Sequence, residues 1–141
     1  MRATPQTEAG VRAALQELTD AYQERDPDRV MAMLGPDDDL VLIGTGPDEC
    51  RMGRAEVRLQ LERDFCQSEA LAAEYQPLMV SEAGSVAWAV GTATARAIVD
   101  GFELVFVGRF TAVLERLEGT WRFMHLHFSV PAADQDQGSS F

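Results

Sequence analysis

The chain has 141 residues, 46% of them hydrophobic and 25% charged, which is the composition of one globular domain. Acidic residues number 23 against 12 basic ones, and the resulting net charge of −11 disfavours nucleic acid and anionic membranes as partners. The first ten residues contain no apolar signal segment, and no run of about 18 apolar residues follows, so we expect a cytoplasmic protein. Cys50 and Cys66 match no metal or redox spacing and are expected to be free thiols.

Three helices are predicted in the first half of the chain. The first is capped by Thr4 and carries an apolar stripe that ends at Tyr22. A short second helix begins with Asp26 as its cap. A short buried strand, Leu40–Ile43, and a third helix from about Arg54 to Cys66 complete this half.

From about Leu71 the apolar period becomes that of strands separated by tight turns. Four strands are predicted: Ala72–Val80, Ser85–Val99, Phe102–Leu117 and Thr120–Val130. Two of them are long, and long neighbouring strands twist and curl. The predicted fold is therefore α+β, a cone in which three N-terminal helices pack on the concave side of a strongly curved antiparallel sheet around a cavity. Residues 1–131 form this single domain, and residues 132–141 form a flexible acidic tail.

The last strand offers the most chemistry. Strict alternation places five side chains on one face: Trp121, Phe123, His125, His127 and Ser129. Aromatic rings, imidazoles and a hydroxyl together suit a ligand pocket, where an imidazole can move protons near neutral pH. The same face could equally form a subunit interface, because the period alone does not say which face of the sheet is concave.

The two histidines of this strand could also hold a metal ion, but a protein site needs a third ligand. The acidic residues nearest in sequence are Glu115 and Glu118, which suit a solvated turn better. We therefore predict no metal and no cofactor.

Three other residues are candidates for the pocket. Arg109 stands in an apolar strand and could clamp a carboxylate ligand or pair with an acid of a partner subunit. Trp88 lies opposite a face of small residues and could form a pocket wall, although core packing is the commoner role of a Trp. The Tyr22 hydroxyl could reach the cavity mouth, or the ring could simply be buried at the helix end.

The order of these elements resembles the nuclear transport factor 2-like superfamily, and within it the SnoaL-like domains and their relative, the association domain of calcium/calmodulin-dependent kinase II. The resemblance covers about residues 7 to 131. It is carried by Tyr22–Asp26, by Gly44–Glu49 with Gly53, by Gly108–Thr111 and by Trp121–Ser129. It implies the cone-shaped, ketosteroid isomerase-like fold, which hosts isomerases, dehydratases, cyclases and assembly modules.

The enzymes of this fold give specific tests. Steroid isomerisation uses a carboxylate base after the second helix and a protonated strand Asp. Here no acid lies between Leu40 and Pro47, and Phe102–Leu117 holds no Asp, so that mechanism is not supported. A dehydratase could use His127 with Tyr22 and either Asp39 or Glu49, and a cyclase could use His127 or His125 as its base.

The sequence therefore predicts a small-molecule-binding domain that forms a homodimer through its sheet and accepts a small hydrophobic or carboxylate-bearing ligand. The alternative is an isomerase, dehydratase or polyketide cyclase, with His127 as the acid or base.

Overall fold

The computed structural model describes all residues from Met1 to Phe141. Its helices are α1 (Pro5–Gln23), α2 (Pro27–Ala32) and α3 (Arg54–Cys66). The first two begin at the predicted caps: the Thr4 hydroxyl accepts a hydrogen bond from the Thr7 amide, and the Asp26 carboxylate accepts from the amides of Asp28 and Arg29. None of the three combines the length and the apolar character that crossing a membrane requires.

Six strands form one sheet. They are β1 (Val41–Ile43), β2 (Cys50–Met52), β3 (Ala70–Ala83), β4 (Val86–Val99), β5 (Phe102–Leu117) and β6 (Thr120–Ser129). Their order across the sheet is β2-β1-β6-β5-β4-β3. All neighbours are antiparallel except β1 and β6, so the sheet is mixed where an antiparallel one was predicted. The prediction also missed β2, because three residues are too few to show a period.

The helices cover one face of the sheet. α1 packs on β3, β4 and β6, and α3 packs on β2 and β3. We call the covered face the inner face; it carries Phe110, Ala112 and Leu126, all buried. The opposite, outer face carries Thr111 and His127 and has no element of this chain against it. Burial of the apolar inner side chains, about 1.5 to 3 kcal/mol for each large one, holds the two layers together.

A β-bulge in β6 interrupts the alternation of inner and outer residues. Val113 of β5 pairs with His125, but the next residue, Leu114, pairs with Phe123, so Met124 has no partner on β5. One extra residue in a strand exchanges the faces of everything beyond it. Before Met124 the odd-numbered residues of β6 therefore face inwards, and after it the even-numbered residues do.

The α+β cone predicted from the sequence is confirmed, with three helices, two long central strands and a curved sheet. Strand β5 has the predicted bounds, and the other long strands differ from the prediction by at most three residues at an end. Both cysteines are unpaired, as expected.

Candidate ligand-binding cavity

A cavity of about 570 Å³ lies between the inner face of the sheet and helices α1 and α3. Twenty-two residues line it, and 14 of them are hydrophobic. The apolar part of the wall comes mainly from β3 to β6, including Leu71, Leu104, Phe106, Leu126 and Phe128. A concave, mostly apolar site of this volume is typical of small-molecule binding.

Small side chains on β4 make the space. Ala93, Ala95 and Ala97 line the cavity, whereas Ala87 and Ala89 on the same face are fully buried under the helices. The small residues therefore lie against a close neighbour only in the first half of the strand. In the second half, the alanines leave room that larger residues would fill.

The polar groups of the cavity gather where α1 and α3 end. Tyr22 closes the apolar stripe of α1, is 8% exposed and meets the ring of Phe65 edge-on, with centroids 5.7 Å apart. Its hydroxyl makes no hydrogen bond within the protein but lines the cavity, and the same is true of Tyr75 on β3. Burial raises the pKa of the Tyr22 hydroxyl well above its usual value, and the charges of Tyr75, Asp64 and Glu49 add to the effect.

Gln60 organises the acidic groups beside these hydroxyls. It is fully buried on α3, and its amide donates to Asp64 Oδ1 at 2.7 Å and to Glu49 Oε1 at 3.4 Å. Its amide oxygen accepts from Arg51 Nε at 3.0 Å. The side chain thus uses its donors on two carboxylates and its acceptor on an arginine, which fixes all three around it.

Asp64 is the one titratable cavity group whose behaviour near neutral pH is altered. Burial raises the pKa of its carboxyl to about 6, and the negative charge of Glu49 adds to the increase, while the hydrogen bond from Gln60 opposes it. No arginine lies within ion-pair distance of Asp64. A carboxyl in this state can both accept and donate a proton at physiological pH.

The loop between β1 and β2 forms one edge of the cavity, with Gly44, Thr45 and Glu49 in its lining. The Glu49 side chain folds back over this loop, and its Oε2 accepts from the Gly46 amide at 2.9 Å. A Cβ on Gly44 would meet that same oxygen, so a larger residue there would displace the Glu49 carboxylate.

Of the seven residues predicted to line the pocket, the structure places Tyr22 in the cavity wall. The other six lie elsewhere: Trp88, Arg109, Trp121, His125, His127 and Ser129. The bulge at Met124 explains the terminal strand, because Trp121 and Phe123 point towards the helices whereas His125, His127 and Ser129 point outwards. The lining from β6 is Leu126 and Phe128, which alternate along the strand with the predicted His125, His127 and Ser129.

Five of the six displaced residues come together on the outer face of the sheet. His127 pairs with Thr111, Ser129 pairs with Arg109, and Trp88 and His125 both pair with Val113. The two imidazoles stand edge to face with centroids 6.3 Å apart, and the pKa of His125 is lowered by partial burial and then by His127. No third metal-ligating side chain joins them. Their position corrects the assignment of this group to the cavity.

Asp64, Gln60 and Tyr75 were not among the predicted site residues. In the sequence, Gln60 and Asp64 stand among many charged residues of the third helix and do not differ from them. Their spacing held the missing signal, since positions 57, 60, 61, 64 and 65 follow one helical stripe with the buried Val57, Leu61 and Phe65. Polar residues on a buried stripe need a specific partner, and here that partner is the cavity network.

A helical layer on a curved sheet, with a cavity between them, is the fold of the nuclear transport factor 2-like class. Solved structures of that class share this fold with the chain. A proposed dehydratase of that class from Streptomyces avermitilis is 20% identical, with 92% of this chain and 100% of that chain aligned and a TM-score of 0.80. A proposed calcium/calmodulin-dependent kinase II association domain from Xanthomonas campestris is 20% identical over 94% and 95% of the chains, with a TM-score of 0.79. A proposed scytalone dehydratase from Novosphingobium aromaticivorans is 11% identical over 89% and 85%, also with a TM-score of 0.79.

Within that class, residues 11–133 match the family model of the SnoaL-like domain. The chain therefore belongs to the SnoaL-like domain family. A comparison with curated protein sequences finds no match.

Proposed function

We propose that the protein binds a small, largely apolar molecule that carries a polar group at one end. The cavity between sheet and helices is the observation that carries this proposal: its walls are mainly aliphatic and aromatic, while its hydroxyl and carboxyl groups gather at the α1 and α3 end. An apolar ligand body packed against these walls would gain about 25 cal/mol of binding free energy per Å² of apolar surface removed from water. The few polar groups would fix its orientation.

The sequence predicted a small hydrophobic or carboxylate-bearing ligand, and the cavity supports the hydrophobic one. A carboxylate on the ligand was expected because of Arg109, and Arg109 lies on the outer face with its Nη2 3.5 Å from the Ser129 hydroxyl. The cavity itself therefore offers a carboxylate no arginine.

The test uses 2-naphthylethanol, a neutral aromatic alcohol that is smaller than the cavity. It should raise the melting temperature of the wild type, because binding to the folded state alone adds stability. Ala95→Leu, which extends a side chain into the cavity, should abolish the increase. Thr92→Leu is the matched control, since it places the same side chain on the outer face of the same strand and should keep the increase. Equal responses of the two variants would contradict the proposal.

Catalysis is the second candidate function, and the raised pKa of the Asp64 carboxyl favours it. A carboxylate that removes a proton from the carbon next to a carbonyl, while the Tyr22 hydroxyl donates to the carbonyl oxygen, would begin an isomerisation or a dehydration. His127 and Asp39, which the sequence offered for this role, do not line the cavity, whereas Tyr22 and Glu49 do.

Exchange of deuterium into the methyl group next to the carbonyl of 2-acetonaphthone tests this second candidate. NMR in deuterated buffer follows the exchange. The wild type and His127→Ala should both accelerate the exchange, and Asp64→Asn should not. Exchange that depends on His127 would return the role to the imidazole predicted from the sequence.

A homodimer through the sheet remains our proposal for assembly. The outer face has no cover within the chain, and it exposes apolar side chains, among them Met79, Val105 and Val107. Apolar surface of this kind on a sheet favours association with a second copy.

A further inference from the structure

Both charged residues that line the cavity are acidic. They are Glu49 and Asp64. No arginine is among the lining residues: Arg63 pairs with Asp48 at 2.6 Å and with Glu49 at 3.1 Å, Arg51 is bound to Gln60 at 3.0 Å, and Arg25 is bound to the Ser68 carbonyl at 2.7 Å. The electrostatic potential inside the cavity is therefore set by carboxylates, in a chain whose net charge is −11.

The two carboxylates differ in the number of hydrogen-bond donors that the protein supplies to them. Glu49 accepts from the Gly46 amide with one oxygen and from Arg63 and Gln60 with the other. Asp64 accepts one hydrogen bond, from Gln60 to Oδ1, and its Oδ2 has no donor in the protein. Asp64 is thus the carboxylate with a free acceptor and no ion-pair partner.

Tyr22 adds a second unused polar group to the same cavity. The side chain is more than nine-tenths buried, yet its hydroxyl has no hydrogen-bond partner in the protein. Because no fully buried side-chain polar atom of the chain lacks a partner, this unpaired hydroxyl opens on the cavity, where a ligand can reach it. The Asp64 charge reaches this hydroxyl strongly enough to contribute to the rise of the Tyr22 pKa.

We propose that the cavity selects a ligand that carries a protonated amine on its apolar body, with the ammonium donating to Asp64 Oδ2 and to the Tyr22 hydroxyl oxygen. An ammonium group has three donors, so one such group can donate to both free acceptors. Charge-assisted bonds to a desolvated carboxylate are among the strongest that a protein makes. The inference rests on the proposed function, because it names the ligand class of the same cavity.

Three ligands of one shape test this: 2-naphthylethylamine, 2-naphthylethanol and 2-naphthylacetate. Calorimetric titration at pH 8 should show the amine binding the wild type about tenfold or more tighter than the alcohol, with the acetate weakest. Asp64→Asn keeps an oxygen for Gln60 but removes the charge, and it should bring the amine to the affinity of the alcohol. Asp48→Asn removes the same charge from an exposed residue outside the cavity and should keep the preference.

Equal affinities of amine and alcohol for the wild type, or a preference that survives in Asp64→Asn, would overturn the inference and leave the proposed function standing. If the alcohol itself fails to bind the wild type, the proposed function fails first and the inference falls with it. Should Asp64→Asn not fold, the wild type at pH 5 replaces it. The carboxyl is then protonated, so the preference for the amine should shrink there, and an undiminished preference would overturn the inference.

Discussion

The two faces of strands β5 and β6 carry different residues and have different surroundings. The inner face carries Phe106 and Phe128, which contribute the aromatic wall of the cavity. The outer face carries Arg109, Ser129 and the two imidazoles, which are the more reactive groups, but no element of the chain covers them. Chemically versatile side chains do not by themselves make a pocket. The pocket lies where the helices and the small residues of β4 leave an enclosed space, and its chemistry comes from α1 and α3.

The largest effect is expected from deleting Met124, the extra residue of the β-bulge in β6. Without it, either Trp121 and Phe123 or Leu126 and Phe128 must turn to the outer face. Either choice removes buried aromatic or aliphatic surface from the core, at a cost of about 4 kcal/mol or more. Urea denaturation followed by circular dichroism measures this loss.

Met124→Ala is the control for that deletion. It removes the side chain but keeps the bulge and therefore both faces, so we expect a loss of about 1 to 3 kcal/mol. A deletion variant as stable as Met124→Ala would show that the bulge does not determine the faces of the strand.

A smaller effect is expected from a charge placed on the outer face, compared with the same charge elsewhere on the surface. Val107 lies on that face and is 63% exposed, and Leu59 on α3 is exposed to the same extent. Val107→Glu should convert the proposed dimer to a monomer in light scattering at micromolar concentration, because a symmetric interface would bury two like charges. Leu59→Glu should leave the dimer intact. A wild type that is already monomeric would refute the interface.

The smallest effect concerns the inner face and pH. Burial raises the pKa of Asp64 from 3.8 to about 6 in the folded chain. The folded state therefore binds this proton more tightly than the unfolded state, and stability is lost as the pH rises from about 4 through 6. Asp64→Asn cannot ionise. Its stability relative to the wild type should rise over that interval by about 1 kcal/mol, discounted because the carboxyl is partly solvated.

The measurement is the difference between the two unfolding free energies at pH 4, 5, 6 and 7. The difference should level off above pH 7. A difference that is constant with pH would show that the cavity does not desolvate the Asp64 carboxyl.

Most of the fold could be predicted from local signals. Thr4 and Asp26 are strong helix caps, and a tight glycine turn at Asp100-Gly101 sets the long β4–β5 hairpin in register. Local chemistry of this kind acts within a few residues, so it is legible in a single sequence. The parallel pairing of β1 with β6 is not, because it depends on residues far apart in the chain.

The site was harder to predict, and Met124 shows why. Nothing in the residues around it marks a bulge, so strict alternation put His127 and Trp121 on one face, whereas the structure puts them on opposite faces. Tyr22 was found because it ends a clear apolar stripe on α1. Asp64 was missed because its role depends on a cavity that only the assembled layers create.

The parallel pair of β1 and β6 also bears on how the protein is made. β1 precedes almost the whole sheet in the chain, yet its partner is the last strand, from Val41 beside His125 to Ile43 beside His127. Contacts so distant in sequence slow folding, because the loop between them must close first. During synthesis the helices and the β3–β4 hairpin emerge early, but the cavity stays open on the β1 side until the final strand leaves the ribosome. The cavity is thus one of the last parts of the molecule to form.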